Sequence, residues 1–511
     1  MKYIIKDYAE VLTKVNNMTI NELLKVVVCP DIPVPCENLD TSLTSLLFYA
    51  TNKENALKET SKLHDTLIAG DLEYGAGCQI EGYTVFPSFR AICGCDDESL
   101  TYKIGALTAI NALEVGYNWS FAPCVDILGN KSNPVVSIRS AGDDIKKVIK
   151  HGKAYMKGMQ DYGLIATLKH FPGDGFCIDD QHITTSINPL NKIQWEKTFK
   201  KVYQELINEG VMAIMPGHIS LPSIDKIDET TNLCPPATLS KYLLTDVLKG
   251  ELGFNGIIVS DAVNMSGFCG YINYYKACAR FLMSGGDCLL FAHPDEEFYS
   301  EMNKCIEDNS LSLDVLKNRA YRMLCFKKQY FENLKQFKNK KLDINGDELE
   351  QYVVNNSVKL IKDKVNLLPM KLNKNSKVAH VIIYNDVAND YQFEVVQELS
   401  IKLASFVNQV KTIKDPGPGK MLEIAKSNKY DLILCSVLNS HSYGTNSVKI
   451  IGKMARNFMN GWTRYSTPCV FISYFDPYFI DSFHPLVDTI INTYGISKYT
   501  SDVIINILIQ K

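Results

Sequence analysis

Residues 163–182 read "GLIATLKHFPGDGFCIDDQH". An apolar, β-prone run leads straight into a lysine, two histidines and three aspartates around a Pro-Gly-Asp-Gly turn. A surface turn has no need of so many ionisable groups, and a buried strand tolerates them only where they have partners or a task. Short buried strands that end in such groups are the repeating unit of a parallel barrel, and the pattern recurs on both sides of this stretch.

The runs "TLIAGDLE" (66–73), "YNWSFAPCVD" (117–126), "GVMAIMPGH" (210–218), "GFNGIIVSDA" (253–262) and "GGDCLLFAH" (285–293) all pass from apolar to polar or charged. Between them lie stretches with apolar residues at helical spacing, such as "KTFKKVYQELINEG" (197–210). Strands alternating with helices predict a parallel sheet with crossover connections. There is room for one or two more units in and near "LLKVVVCPDIPVP" (23–35). The expectation is an α/β chain whose residues 1–335 form a (β/α)8 TIM-type barrel. Asp71, Asp126, Lys169, His170, His218 and Asp261 each follow such a run, which in a barrel puts them on the C-terminal rim where active sites are built. Wet loops explain any one of them. They do not explain why Lys-His, Gly-His and Ser-Asp stand where Gly, Asn and Ser usually make turns.

After residue 330 the texture changes. "YFENLKQFKNKKLDINGDELE" is polar and Lys-rich, and residues 336–350 are expected as a linker. Four further buried-strand runs, "VAHVIIYND", "YDLILCSV", "TPCVFISYFDP" and "DTIINTYG", alternate with helical stretches such as "FEVVQELSIKLASFVNQV" (393–410). They predict a smaller C-terminal α/β sandwich domain over 351–511. "DPGPGK" (415–420) lacks phosphate-loop spacing and reads as a turn.

With 511 residues, two domains are the starting expectation. A net charge of -3 offers no footprint for nucleic acid or an anionic membrane. The opening "MKYIIKDYAEVLTKVNN" breaks its apolar triplet with Lys and Asp, unlike a secretory signal, and no run approaches the roughly 18 apolar residues of a spanning helix. The 15 cysteines are odd in number and scattered through apolar stretches, which fits buried thiols in the cytoplasm better than a disulfide framework. The close pair Cys93 and Cys95 has no second pair at zinc spacing. No cofactor and no metal are expected.

Two places can carry chemistry. Asp261 caps an apolar strand, where an ionised carboxylate gains nothing structurally, and it suits a nucleophile or a general base. In Asp180-Gln181-His182 a turn around Gln181 lets the carboxylate reach the ring, fixing its tautomer and raising its basicity.

Four motifs in order, "AGDLEYGAG" (69–77), "FAPCVDILGNKSNPVVSIRSAGDD" (121–144), "KHFPGDGFCIDDQH" (169–182) and "IIVSDAVNMSG" (257–267), resemble glycoside hydrolase family 3, in its β-N-acetylglucosaminidase branch. The resemblance implies a retaining exo-glycosidase that removes terminal β-linked N-acetylglucosamine. Asp261 would be the nucleophile, His182 the acid/base and Asp180 its orienting partner. It further implies that Asp71, Arg139, Lys169 and His170 hold sugar hydroxyls, and His218 stands with them as a rim candidate. The branch more often has Ser where Gln181 stands, and a Gln there is expected to point away. Asp174 stands where N-acetylglucosaminidases commonly have His and β-glucosidases Asp, and Gln79 is near the place of a frequent Arg. A neutral imidazole base does not repel an incoming anion, so phosphate can compete with water.

The residues leave alternatives open. His170 and His218 can be core histidines, Arg139 can pair with Asp143 or Asp144, and Asp180 can be a turn former. β-Glucosidase or β-N-acetylglucosaminide phosphorylase chemistry belongs to the same family. From other classes, Lys169 can form a Schiff base as in an aldolase, or the chain can bind sugar without catalysis. The expected partner is an N-acetylglucosamine-containing glycoside, with a homodimer left open.

Overall fold

The computed structural model describes residues 1–337, 340, 342–440, 443–444, 447–476, 478 and 486–509. Its chain divides into two compact units. The first comprises Met1–Val85, Asp97–Val136 and Ser140–Gly346, and the second Phe86–Asp96, Ser137–Arg139 and Asp347–Lys511.

In the first unit, Asp31–Ile32, Ser45–Phe48, Leu67–Gly70, Trp119–Ser120, Ile165–Phe171, Ala213–Pro216 and Ile257–Ile258 lie side by side in one parallel sheet. A parallel bridge from Val259 to Cys288 leads on to Leu289–Leu290, which pairs with Val28–Cys29. Only Pro30 separates Val28–Cys29 from Asp31–Ile32; without an N–H it cannot continue the ladder. Eight parallel segments thus close a ring, the (β/α)8-type barrel that the strand ends predict. One crossover departs from the pattern: no helix lies between Asp31–Ile32 and Ser45–Phe48. The residues of Ile165–Phe171 are all buried, as a barrel stave sealed by side chains on one face and helices on the other must be.

The second unit holds a six-stranded sheet in the order Lys359–Asp363, Thr489–Asn492, Cys469–Ser473, Leu432–Leu438, Lys377–Tyr384, Gln409–Lys414. Only the first pairing is antiparallel. Along Leu432–Leu438 successive side chains serve opposite cores. Leu432, Leu434 and Leu438 pack with the helices Asp390–Leu403 and Thr500–Leu508, while Ile433, Cys435 and Val437 pack with Met421 and Ile424 of Gly417–Lys426. A sheet with helices on both faces is the sandwich expected. The strands Lys359–Asp363 and Gln409–Lys414 escape the sequence reading because they are edges, exposed and Lys-bearing, with no buried run to mark them. "DPGPGK" is a turn only as far as Pro416, and the helix begins at Gly417.

The units do not follow the expected borders of 335, 350 and 351. The helix Gly346–Ser357 starts inside the expected linker, and Phe86–Asp96 joins the second unit, where the Ser88 hydroxyl bonds to the Tyr494 carbonyl. Positions 338, 339 and 341 of that linker, and 510 and 511 at the far end, lie outside the described residues. Among the described residues no helix is long and apolar enough to cross a membrane.

Candidate active site

Lys169 and His170 are adjacent in a strand, where side chains normally alternate between faces. Here the ladder with Ala213–Pro216 slips, pairing Met215 with Lys169 and Pro216 with Phe171, so His170 falls at the register shift. Such a bulge re-aims the side chains beside it. The Lys169 ammonium bonds Asp71 Oδ1 at 2.9 Å and Glu73 Oε1 at 2.8 Å. His170 directs Nδ1 at Asp126 Oδ2, 2.7 Å away, and Nε2 toward Asp261 Oδ2 at 3.9 Å. Asp126 is fully buried and accepts from the backbone N–H of Asp174 and of His170 as well. Burial pushes its carboxyl up, but the His170 imidazole outweighs that and holds it below the ordinary range. Asp126 is therefore the anchor that orients His170.

Asp261 follows the strand whose last bridge is Val259. Its Oδ1 accepts the Ala262 N–H at 2.9 Å, and its Oδ2 is buried without a hydrogen-bond partner. Burial would raise this carboxyl; His170 foremost, then His218, His182 and Lys169, keep it below the ordinary carboxylate value. It is an ionised oxygen with no bond to give up.

The Asp180 carboxylate clamps its own loop. Oδ1 accepts the His182 backbone N–H at 2.9 Å and lies 2.6 Å from His182 Nδ1. Asp180 is fully buried, and the His182 side chain is 19% exposed. A carboxylate on Nδ1–H leaves proton exchange to Nε2. The loop is tied to the segment after Asp261: Ser266 N–H donates to the His182 carbonyl at 3.1 Å, and Thr185 Oγ1 donates to the Gly267 carbonyl at 2.8 Å. A side chain at Gly267 would put its Cβ 2.3 Å from the Gln181 carbonyl oxygen, so only glycine permits this approach.

One expectation changes. His218 is fully buried with both ring nitrogens occupied, Nε2–H donating to the Ala262 carbonyl at 3.0 Å and Nδ1 accepting from Thr238 at 3.1 Å. Burial lowers its pKa, favouring the neutral ring. It braces the peptide after Asp261 and has no nitrogen left for a sugar. Gln181 is fully buried, and its side-chain Oε1 accepts the His218 backbone N–H at 2.7 Å. It thereby links the Asp180–His182 loop to the brace beneath Asp261.

Asp174 is also buried, accepting from Asn133 Nδ2 and the Gly175 N–H at 2.6 Å each. Burial and the neighbouring Asp126 charge push it up to about 6. Arg139 falls in the second unit, buried, with its guanidinium 5.1 Å from the centre of the Tyr443 ring.

Glu73, the second carboxylate on Lys169, was not among the expected site residues. Its signal was the i, i+2 spacing from Asp71 at a strand end. Cys124, Asp126 and His170 bring three donor atoms within 4.8 Å of one another. The Cys124 thiol and the His170 ring both meet the same Asp126 oxygen, so the trio is a hydrogen-bonded chain around His170 rather than an open ligand set.

Comparisons with known proteins bear on family and fold. The glycosyl hydrolase family 3 N terminal domain matches residues 8–325. A β-N-acetylglucosaminidase/β-glucosidase of Cellulomonas fimi is 28% identical over 455 residues, spanning 84% of this chain and 79% of that protein. A β-hexosaminidase of Glaesserella parasuis is 32% identical over 217 residues, 42% of this chain and 61% of that protein. Among solved structures, one described as the β-glucoside phosphorylase BglX superimposes with a TM-score of 0.86 at 25% identity, covering 99% of this chain and 94% of that one. A family 3 β-N-acetylglucosaminidase from Paenibacillus sp. FPU-7 shares the fold at a TM-score of 0.79 and 20% identity, covering 96% and 98% of the two chains.

Proposed function

The chain belongs to glycosyl hydrolase family 3, and on that footing we propose that it is a retaining exo-β-N-acetylglucosaminidase working through Asp261 and the Asp180–His182 pair. The observation that carries the reading is the 2.6 Å contact between Asp180 and His182 on a loop bonded to the segment after Asp261. Asp261 Oδ2 attacks the anomeric carbon, and the C–O bond to the leaving group breaks as His182 Nε2 gives that oxygen its proton. Asp180 stabilises the imidazolium before the transfer. In the second half, neutral Nε2 takes a proton from water, whose oxygen displaces Asp261 and restores the β configuration. Asp71, Lys169 and His170 offer the charged and planar groups that vicinal hydroxyls require. A sugar contact by Arg139 rests on the family resemblance alone. The dispersed cysteines support a cytoplasmic location.

Lys169 does not suit a Schiff base. An amine between two carboxylates is held as an ammonium ion, which does not attack a carbonyl.

A second reading, phosphorolysis by the same residues, is favoured by the likeness to the β-glucoside phosphorylase over nearly the whole chain. It differs only in the acceptor, for which a base of no negative charge is well suited. The test is turnover of 4-nitrophenyl N-acetyl-β-glucosaminide and of the matching glucoside, with and without phosphate, followed by NMR. Retained N-acetylglucosamine supports the first reading, and a sugar 1-phosphate the second. Much faster cleavage of the glucoside contradicts the choice of sugar.

A further inference from the structure

A cleft of about 570 Å³ opens beside the His182 loop. Ile183 and Ile187 come from the segment directly after His182, Ile227 and Leu233 from the loop 221–235, and Ser266 and Tyr271 from the segment after Asp261. The four aliphatic side chains are 45%, 52%, 62% and 56% exposed. Single exposed apolar residues are ordinary; four around one concavity make a contiguous apolar patch of the kind that marks interaction sites. Among the described residues, no Asp, Glu, Lys, Arg or His lines it.

The cleft is preformed. Tyr271 Oη donates to the Leu233 carbonyl at 3.1 Å and meets Thr231 Oγ1 at 2.8 Å, and Arg280 pairs with Asp228 in the same loop. Its place relative to His182 says what enters it. The residues directly after His182 and Ser266, whose N–H bonds the His182 carbonyl, both line the cleft, so a group leaving from between His182 and Asp261 has this cleft beside it.

We propose that this cleft is the leaving-group site and that it takes uncharged, apolar aglycones, alkyl or aromatic, in preference to aglycones bearing a carboxylate. The proposal rests on the glycosidase reading above and narrows its substrate class. A carboxylate here would lose water and find no cation in return, whereas an alkyl chain gains by burial against the four aliphatic side chains.

Methyl, butyl, hexyl and octyl N-acetyl-β-glucosaminides test it, because butyl to octyl leaving alcohols are equally acidic and differ only in contact. The expected result is that kcat/KM climbs about three- to four-fold per methylene until the cleft is filled. In the double variant Ile227→Asn, Leu233→Asn, the octyl-to-butyl ratio falls toward one. These positions are exposed, and a thermal melt checks the fold; Ile187→Asn gives the same reading if the double variant does not fold. N-acetylglucosaminyl fluoride, which carries no carbon aglycone, reports the sugar site separately. Turnover of the fluoride with a flat alkyl series overturns the cleft proposal and leaves the glycosidase reading standing. No turnover of the fluoride defeats the reading and the proposal with it. A flat series together with a dimer that the double variant dissociates assigns this face to a second copy of the chain and likewise overturns the proposal.

Discussion

Nε2 of His170 lies 3.9 Å from Oδ2 of Asp261, the oxygen of that carboxylate that makes no hydrogen bond. The gap is too long for a hydrogen bond and short enough for strong attraction in a buried site. Asp261 is thus kept ionised without surrendering a lone pair, the state a carboxylate nucleophile needs. The ring can take this pose because Asp126 holds its other nitrogen at 2.7 Å.

Asp261→Ala removes the oxygen proposed as nucleophile and should lower kcat by several orders of magnitude with the fold intact, checked by steady-state kinetics beside circular dichroism. Residual turnover within about ten-fold of the parent would mean that another group attacks.

His182→Ala should cost roughly 10²–10⁴ in kcat/KM for alkyl glycosides and much less for activated aryl ones, because only poor leaving groups need the proton. Asp180→Asn should show the same dependence on leaving group with a smaller loss, since the ring remains but its imidazolium is less stabilised. A uniform loss over a leaving-group series would remove His182 from proton transfer.

Lys169→Met leaves the buried Glu73 carboxylate without its ammonium partner, and a destabilisation of roughly 3 kcal/mol is expected in denaturant melts. Adding Glu73→Gln to the same chain should recover part of it. No recovery would show that the pair is not energetically coupled.

Asp174 is pushed up to about 6 in the fold from an ordinary 3.8. The folded state therefore favours the protonated carboxyl. Its contribution to stability is full below about pH 4 and is lost as pH rises through 6. Asp174→Asn, which keeps an acceptor for Asn133 and Gly175 without a charge, should stabilise by roughly 1–3 kcal/mol at pH 8 and hardly at all at pH 4. Thermal melts at the two pH values decide it; equal shifts would contradict the assignment.

Much of the barrel and its rim was legible because each stave is a short apolar run with an ionisable residue at its end. That pattern places Asp71, Lys169, His170 and Asp261 on the rim without any tertiary information. Asp180 and His182 were legible as a local pair, since two residues on one turn meet without help from the rest of the chain. Long-range relationships were not. His218 looks like a rim ligand until Thr238, 20 residues away, and Ala262, 44 residues away, take its two nitrogens. What Gln181 points to is equally hidden until the fold brings the His218 backbone N–H to its side-chain oxygen. The membership of Phe86–Asp96 in the second unit rests on bonds such as Ser88 to Tyr494, 406 residues apart, which no local pattern encodes.

Incubation with 2-deoxy-2-fluoro-β-glucosyl fluoride and with 5-fluoro-N-acetyl-β-glucosaminyl fluoride, which keeps the acetamido group, followed by digestion and mass spectrometry, tests the covalent step most directly. The expected result is a single sugar adduct on the peptide carrying Asp261, absent in Asp261→Ala. An adduct on any other residue, or full inactivation with no adduct at all, would contradict Asp261 as the nucleophile.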